Sequence, residues 1–109
     1  VEAAMSELKG QRVNDVEQPG DFKWMIVSMR SSDGQPSRMR PIAENERPTH
    51  LIFMDRNGVR HSVSIRPEVQ ANGHSWDWDG NLGSPSLHPS IHATGIWHGW
   101  LRKGVFVDA

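Results

Sequence analysis

Along most of this chain apolar and polar residues alternate with a period of two, the signature of half-buried strands, and helical spacing is nearly absent. Over 22–30, Phe22, Trp24, Ile26 and Ser28 fall on one face and Lys23, Met25, Val27 and Met29 on the other. Apolar side chains on both faces predict a central strand. The runs 49–54 and 59–66 flank Asp55-Arg56-Asn57-Gly58, and Asn-Gly between two such runs is the strongest short-range hairpin signal. On the second arm Val59, His61, Val63 and Ile65 alternate with Arg60, Ser62, Ser64 and Arg66. His61 therefore belongs to the core side, where a histidine is expected to be held by a local hydrogen bond. Trp76 and Trp78 share one face of an extended segment, Asp77 and Asp79 the other, and Asp79-Gly80-Asn81 supplies a turn. A short edge strand is predicted over 90–94. The runs 96–101 and 105–107 flank Arg102-Lys103-Gly104 as a second hairpin. Helical spacing survives at the start, where Ala4, Met5 and Leu8, followed by Gly10, predict a short helix over 1–9.

These elements predict a mainly-β fold: one small antiparallel sheet or sandwich built from hairpins, with a short N-terminal helix. Residues 1–21 read as an arm and connection and 22–109 as the domain. A long loop over 31–48, with at most short extended pieces, is marked by Asp33-Gly34, Pro36, Pro41 and Pro48. The length of 109 residues fits one domain. A net charge of −1, with both signs dispersed, lacks the basic field that nucleic-acid binding draws on. The absence of cysteine removes disulfides and thiolate metal sites, and points to the cytoplasm. No apolar run approaches the ~20 residues of a membrane span. A soluble protein without a membrane partner is expected.

Candidate chemistry concentrates between His74 and Gly104. His88 and His92 have a His-x-x-x-His spacing, but in an extended chain their Cα atoms stand ~13 Å apart, too far to share one ion at ~2.1 Å. No metal or other cofactor is expected. A zinc site would need His61, His74, His92 and His98 to converge from different strands, with Asp77 or Asp79 supplying oxygen. Asp77 and Asp79 also form a carboxylate pair on one strand face, although Asp before Gly ordinarily stabilises a turn. No serine sits in a nucleophile elbow and no phosphate loop follows a strand, so catalysis is expected only through His and Asp. Trp24, Trp76 and Trp78 are expected in the core, whereas Trp97 and Trp100, around His98, leave one ring available for binding. Arg38, Arg40 and Arg47 in the long loop are the candidate anion or partner contacts.

The run Gly73-His74-Ser75-Trp76-Asp77-Trp78-Asp79-Gly80-Asn81, then 85–87, Pro89-Ser90-Ile91 and Trp97-His98-Gly99-Trp100-Leu101-Arg102-Lys103-Gly104, resembles small proteins of unknown function from phages, prophages and bacterial mobile regions. The resemblance spans about His50 to Val107 and leaves the first half, up to Arg47, uncovered. It implies a cysteine cluster in the first hairpin and a cysteine before the histidine matching His98, together a zinc site. This chain has Met54, Asp55, Arg56, Asn57 and Gly58 at the cluster and no cysteine. The thiolate site is lost, and His98 reads as a packing or hydrogen-bonding residue. The resulting expectation is a non-enzymatic phage or mobile-element accessory protein that binds a protein partner in the bacterial cytoplasm through Arg38, Arg40, Arg47, Trp97, His98 and Trp100. A His/Asp metal-dependent hydrolase and a virion or assembly component are the alternatives. Oligomeric state is not legible.

Overall fold

A computed structural model describes residues 7–28, 38–44, 46–68 and 73–109. The described chain is all β. Eleven strands are described: β1 (Glu7–Lys9), β2 (Gln11–Arg12), β3 (Asp21–Ser28), β4 (Arg38–Pro41), β5 (His50–Met54), β6 (Arg60–Ser64), β7 (Asp77–Trp78), β8 (Leu87–His88), β9 (Ile91–Ala93), β10 (Trp97–Arg102) and β11 (Val105–Asp108). One sheet has the order β1-β11-β10-β9; a second runs β2-β3-β5-β6, with β4 also on β3; β7 and β8 form a small pair. The N-terminal helix expected over 1–9 is corrected at its end. Glu7–Lys9 is a strand lying antiparallel on β11, Glu7 opposite Val107 and Lys9 opposite Val105. The apolar partner that Leu8 needs comes from a sheet, and strand pairing satisfies backbone groups that a helix this short would leave open. Residues 1–6 lie outside the described residues.

Immediately after β1 the chain crosses into the second sheet: Gly10 N donates to Gly104 O at 2.7 Å, and Gln11 and Arg12 pair in parallel with Asp21 and Phe22. The segment read as an arm thus contributes a strand to each sheet. Both sheets bury one apolar cluster. Phe22, Trp24, Leu51, Phe53, Val63 and Ile65 come from the second sheet and its margin; Ile91, Trp97, Leu101 and Phe106 come from the first. Phe53 joins the two, stacked on Phe106 at 4.8 Å and edge-on to Trp97 at 5.7 Å. Burying each such ring stabilises by about 1.5–3 kcal/mol. Tryptophan burial also requires a partner for each indole N–H. Trp24 donates to Leu82 O (2.9 Å), Trp78 to Asn81 O (2.9 Å), Trp97 to Asp108 Oδ1 (2.9 Å) and Trp76 to Ser90 O (3.3 Å).

Both predicted hairpins are present. β10 and β11 are joined by Lys103 (φ 48°) and Gly104 (φ 78°), a two-residue connection with both φ values positive. That geometry follows the twist of the strands and favours glycine at the second position. The β5–β6 connection is organised by a side chain. Asp55 Oδ1 accepts from Asn57 N at 2.8 Å and Val59 N at 3.1 Å, while its Oδ2 lies 2.6 Å from His61 Nε2. Asp55 is fully buried, and His61 stacks on Phe53 at 5.0 Å. The hydrogen-bonded core histidine expected at 61 is what the structure shows. The tip of this hairpin also braces the first sheet: Asn57 Nδ2 donates to Ile96 O at 3.1 Å, and Arg56 Nε lies 2.9 Å from Asp108 Oδ2, an ion pair by distance without hydrogen-bond alignment.

Candidate active site

The site is assembled on β9 and β10. Their register pairs Trp97 with Ala93, His98 with His92 and Gly99 with Ile91. Side chains alternate along each strand, so Ile91, Trp97 and Leu101 point into the core. Ser90 (the residue before β9), His92, His98 and Trp100 then share the outer face. Gly99 makes the inner packing possible, because a Cβ there would lie 2.5 Å from Trp97 Cζ2 and against the Val107 carbonyl.

On the outer face Ser90 and His98 are diagonal neighbours, and Ser90 Oγ lies 3.2 Å from His98 Nε2. His92 and His98 stack at 4.4 Å with an interplanar angle of 27°, and Trp100, two residues along β10 on the same face, lies 6.0 Å from His98. Arg102 in turn sits over Trp100 at 4.9 Å. These neighbouring rings restrict rotation of His98 while leaving it open to solvent. Ser90 lines a cleft of about 310 Å3 together with Arg66, His74, Ser75, Trp76 and His92. A hydroxyl within reach of an accessible imidazole, beside a cleft, is the geometry required for a base-activated nucleophile.

The other expected site residues are dispersed. His61 is engaged with buried Asp55. His74 packs edge-on to Trp76 at 6.1 Å. Asp77 binds Arg66 with both oxygens at 3.1 Å, and Asp79 Oδ1 accepts from Asn81 N and Ser86 N to close its turn. Among the described residues no group of three or more His, Asp or Glu side chains converges as a metal site. Arg40 forms a two-pronged contact with Glu46, at 2.7 and 2.6 Å. That hydrogen bond, followed by one from Ala43 N, holds the Glu46 carboxyl down at about 2. Arg47 donates to Arg66 O at 2.6 Å and lies over Trp78 at 5.8 Å. The side chain of Arg38 is outside the described residues. Trp97 is buried, so Trp100 is the partly open ring of that pair.

Sequence reasoning missed Ser90. Its signal was the hairpin itself: once 90–94 is folded onto 96–101, a serine and a histidine that look unrelated fall on one face.

A family model described as bacterial ubiquitination-like system serine protease (BubE) matches residues 29–109. The chain belongs to the BubE family. The match covers most of the chain, including Ser90, His98, β9 and β10, and begins just after β3. The family's description names an enzyme, which weighs against the non-enzymatic binding role expected from the sequence. No curated protein and no solved structure matches the chain.

Proposed function

We propose that this BubE-family chain is a serine peptidase of a bacterial ubiquitination-like system, with Ser90 as nucleophile and His98 as general base. The observation that carries the reading is the 3.2 Å approach of Ser90 Oγ to His98 Nε2, beside a cleft that Ser90 lines, in a chain whose family is described as a serine protease. His98 Nε2 takes the hydroxyl proton as Ser90 Oγ attacks the carbonyl carbon of a peptide bond. The tetrahedral adduct collapses, the C–N bond breaks, and the proton passes from His98 to the leaving amine. Water then attacks the acyl ester, giving up a proton to His98, and Ser90 is released with its proton restored. Arg66, whose guanidinium also holds Asp77, and His74 line the same cleft and would meet negative charge developing on the carbonyl oxygen. Trp76, whose indole N–H holds the Ser90 carbonyl, fixes the backbone that presents the nucleophile.

The partner predicted for the binding reading becomes the substrate, a polypeptide. The test is proteolysis of polypeptide substrates by the purified chain and by Ser90→Ala and His98→Ala. Cleavage should fall by at least about a thousandfold in either variant. Retention of wild-type cleavage by Ser90→Ala would exclude this assignment.

A further inference from the structure

We infer that the free edge of β9 is the substrate rail, and that the substrate is an extended, unfolded stretch of polypeptide read through its main chain. The inference rests on the peptidase reading above and specifies what the cleft accepts.

β9 is an edge strand of its sheet. Two separate contacts fix which of its backbone groups face outward. Ala109 N donates to His98 O at 2.9 Å, so the main chain of His98 is turned toward β11 and away from β9. His92 and His98 are therefore a non-hydrogen-bonded pair, in which side chains approach most closely, in keeping with their 4.4 Å stack. It follows that the N–H and C=O of His92 point away from β10. Ser90, two residues earlier and of the same parity, agrees: its carbonyl faces outward to Trp76 Nε1. Among the described residues no main-chain bond outside the strand ladders reaches the N–H or C=O of His92.

These two groups open onto the site. His92 lines the Ser90 cleft and also an adjoining one of about 350 Å3, whose walls are His61, Ser62 and Val63 on β6 and Ile91, His92 and Ala93 on β9 with Thr94 after it, with His74 and Trp76 shared between the two clefts. A donor and an acceptor on one residue of an exposed edge are matched by another extended backbone, which exchanges both bonds at once. Strand addition at His92 would pair a peptide with β9 at that residue. The Trp76 indole closes the edge at the Ser90 carbonyl, so the peptide leaves the edge there. It then brings a carbonyl across the outer face to Ser90, about two residues away by the ~6.6 Å that the strand advances. Recognition by main-chain bonds requires the segment to be free of its own secondary structure and tolerates varied side chains.

The test uses the wild-type protein and altered peptides, so folding of a variant is not at issue. A random-sequence peptide library is digested and the cut sites are read by mass spectrometry. One well-cut peptide is then remade with a single N-methyl amide at each position around the cut, and separately with alanine at the same positions. Methylation at a backbone N–H about two residues from the cut should lower kcat/KM at least about tenfold through KM, while alanine there should change it less than about threefold. Cutting that tolerates N-methylation at every position overturns the inference and leaves the peptidase reading standing. Failure to cut any peptide, by a protein whose Ser90 still reacts with a fluorophosphonate, overturns it as well. Failure of both cutting and that reaction removes the peptidase reading and the rail with it.

Discussion

Replacing Asp55 tests how the core supports the site. Asp55 is fully buried and accepts from Asn57 N, Val59 N and His61 Nε2. Asp55→Ala leaves all three donors without that partner, the His61 imidazole in the core and the Asn57 and Val59 N–H groups in part-buried contacts at an exposed hairpin tip. At about 1–2 kcal/mol for the abandoned buried imidazole and about 0.5–1.5 kcal/mol for each of the two part-buried N–H bonds, the expected loss is about 2–5 kcal/mol. Asp55→Asn keeps an oxygen for the two backbone N–H groups, and its amide can face the imidazole in the other tautomer. The cost then reduces to the lost charge assistance, about 1–2 kcal/mol. In urea denaturation, with m near ~2 kcal/mol/M, the midpoint should fall roughly 2 M for alanine and less than about 1 M for asparagine. Because the hairpin tip also binds Ile96 O and Asp108, the alanine variant should loosen the turn between β9 and β10 and slow reaction at Ser90. Equal midpoints for the two variants, or a loss below about 1 kcal/mol for alanine, would refute the argument from buried donors.

Three further outcomes are expected. Gly99→Ala should destabilise by at least about 2 kcal/mol, measured by denaturant unfolding, because the new methyl meets the Val107 carbonyl and the Trp97 ring. Burial lowers the His50 pKa below its ordinary 6.5, with Glu68 opposing, so the unfolded chain takes up the proton first. Stability should therefore be full above about 6.5 and decline as pH falls below it, and His50→Gln should flatten that limb of a melting-temperature profile. Glu46, held at about 2 against 4.5 when free, contributes stability that is complete above 4.5 and disappears as pH falls toward about 2; Glu46→Gln should remove that acid limb.

Local alternation and turn chemistry carry the parts of the fold that were legible. Asn57-Gly58 and Lys103-Gly104 mark their hairpins, and the core side of β6 follows from Val63 and Ile65. Three features were beyond single-strand reasoning. Glu7–Lys9 becomes a strand because β11 offers Leu8 an apolar partner across the whole length of the chain, and tertiary pairing outweighs the spacing of Ala4, Met5 and Leu8. The zinc alternative depended on histidines converging, and the register sends His61 inward to Asp55 while His92 and His98 stack on the opposite side of β9 and β10 from the core. Ser90 was visible only as part of Pro89-Ser90-Ile91. The short edge strand was recognised, but without its register against β10 the serine had no histidine beside it. A nucleophile positioned by cross-strand diagonal pairing leaves no fixed sequence motif, unlike one held in a strand-to-helix turn.

The central claim is that Ser90 is a nucleophile activated by His98. Intact-mass analysis after treatment with a fluorophosphonate, followed by peptide mapping, tests it most directly. The account predicts a single adduct on Ser90, absent from Ser90→Ala and strongly slowed in His98→Ala. An unmodified wild-type protein, or an adduct that persists in Ser90→Ala, would contradict it.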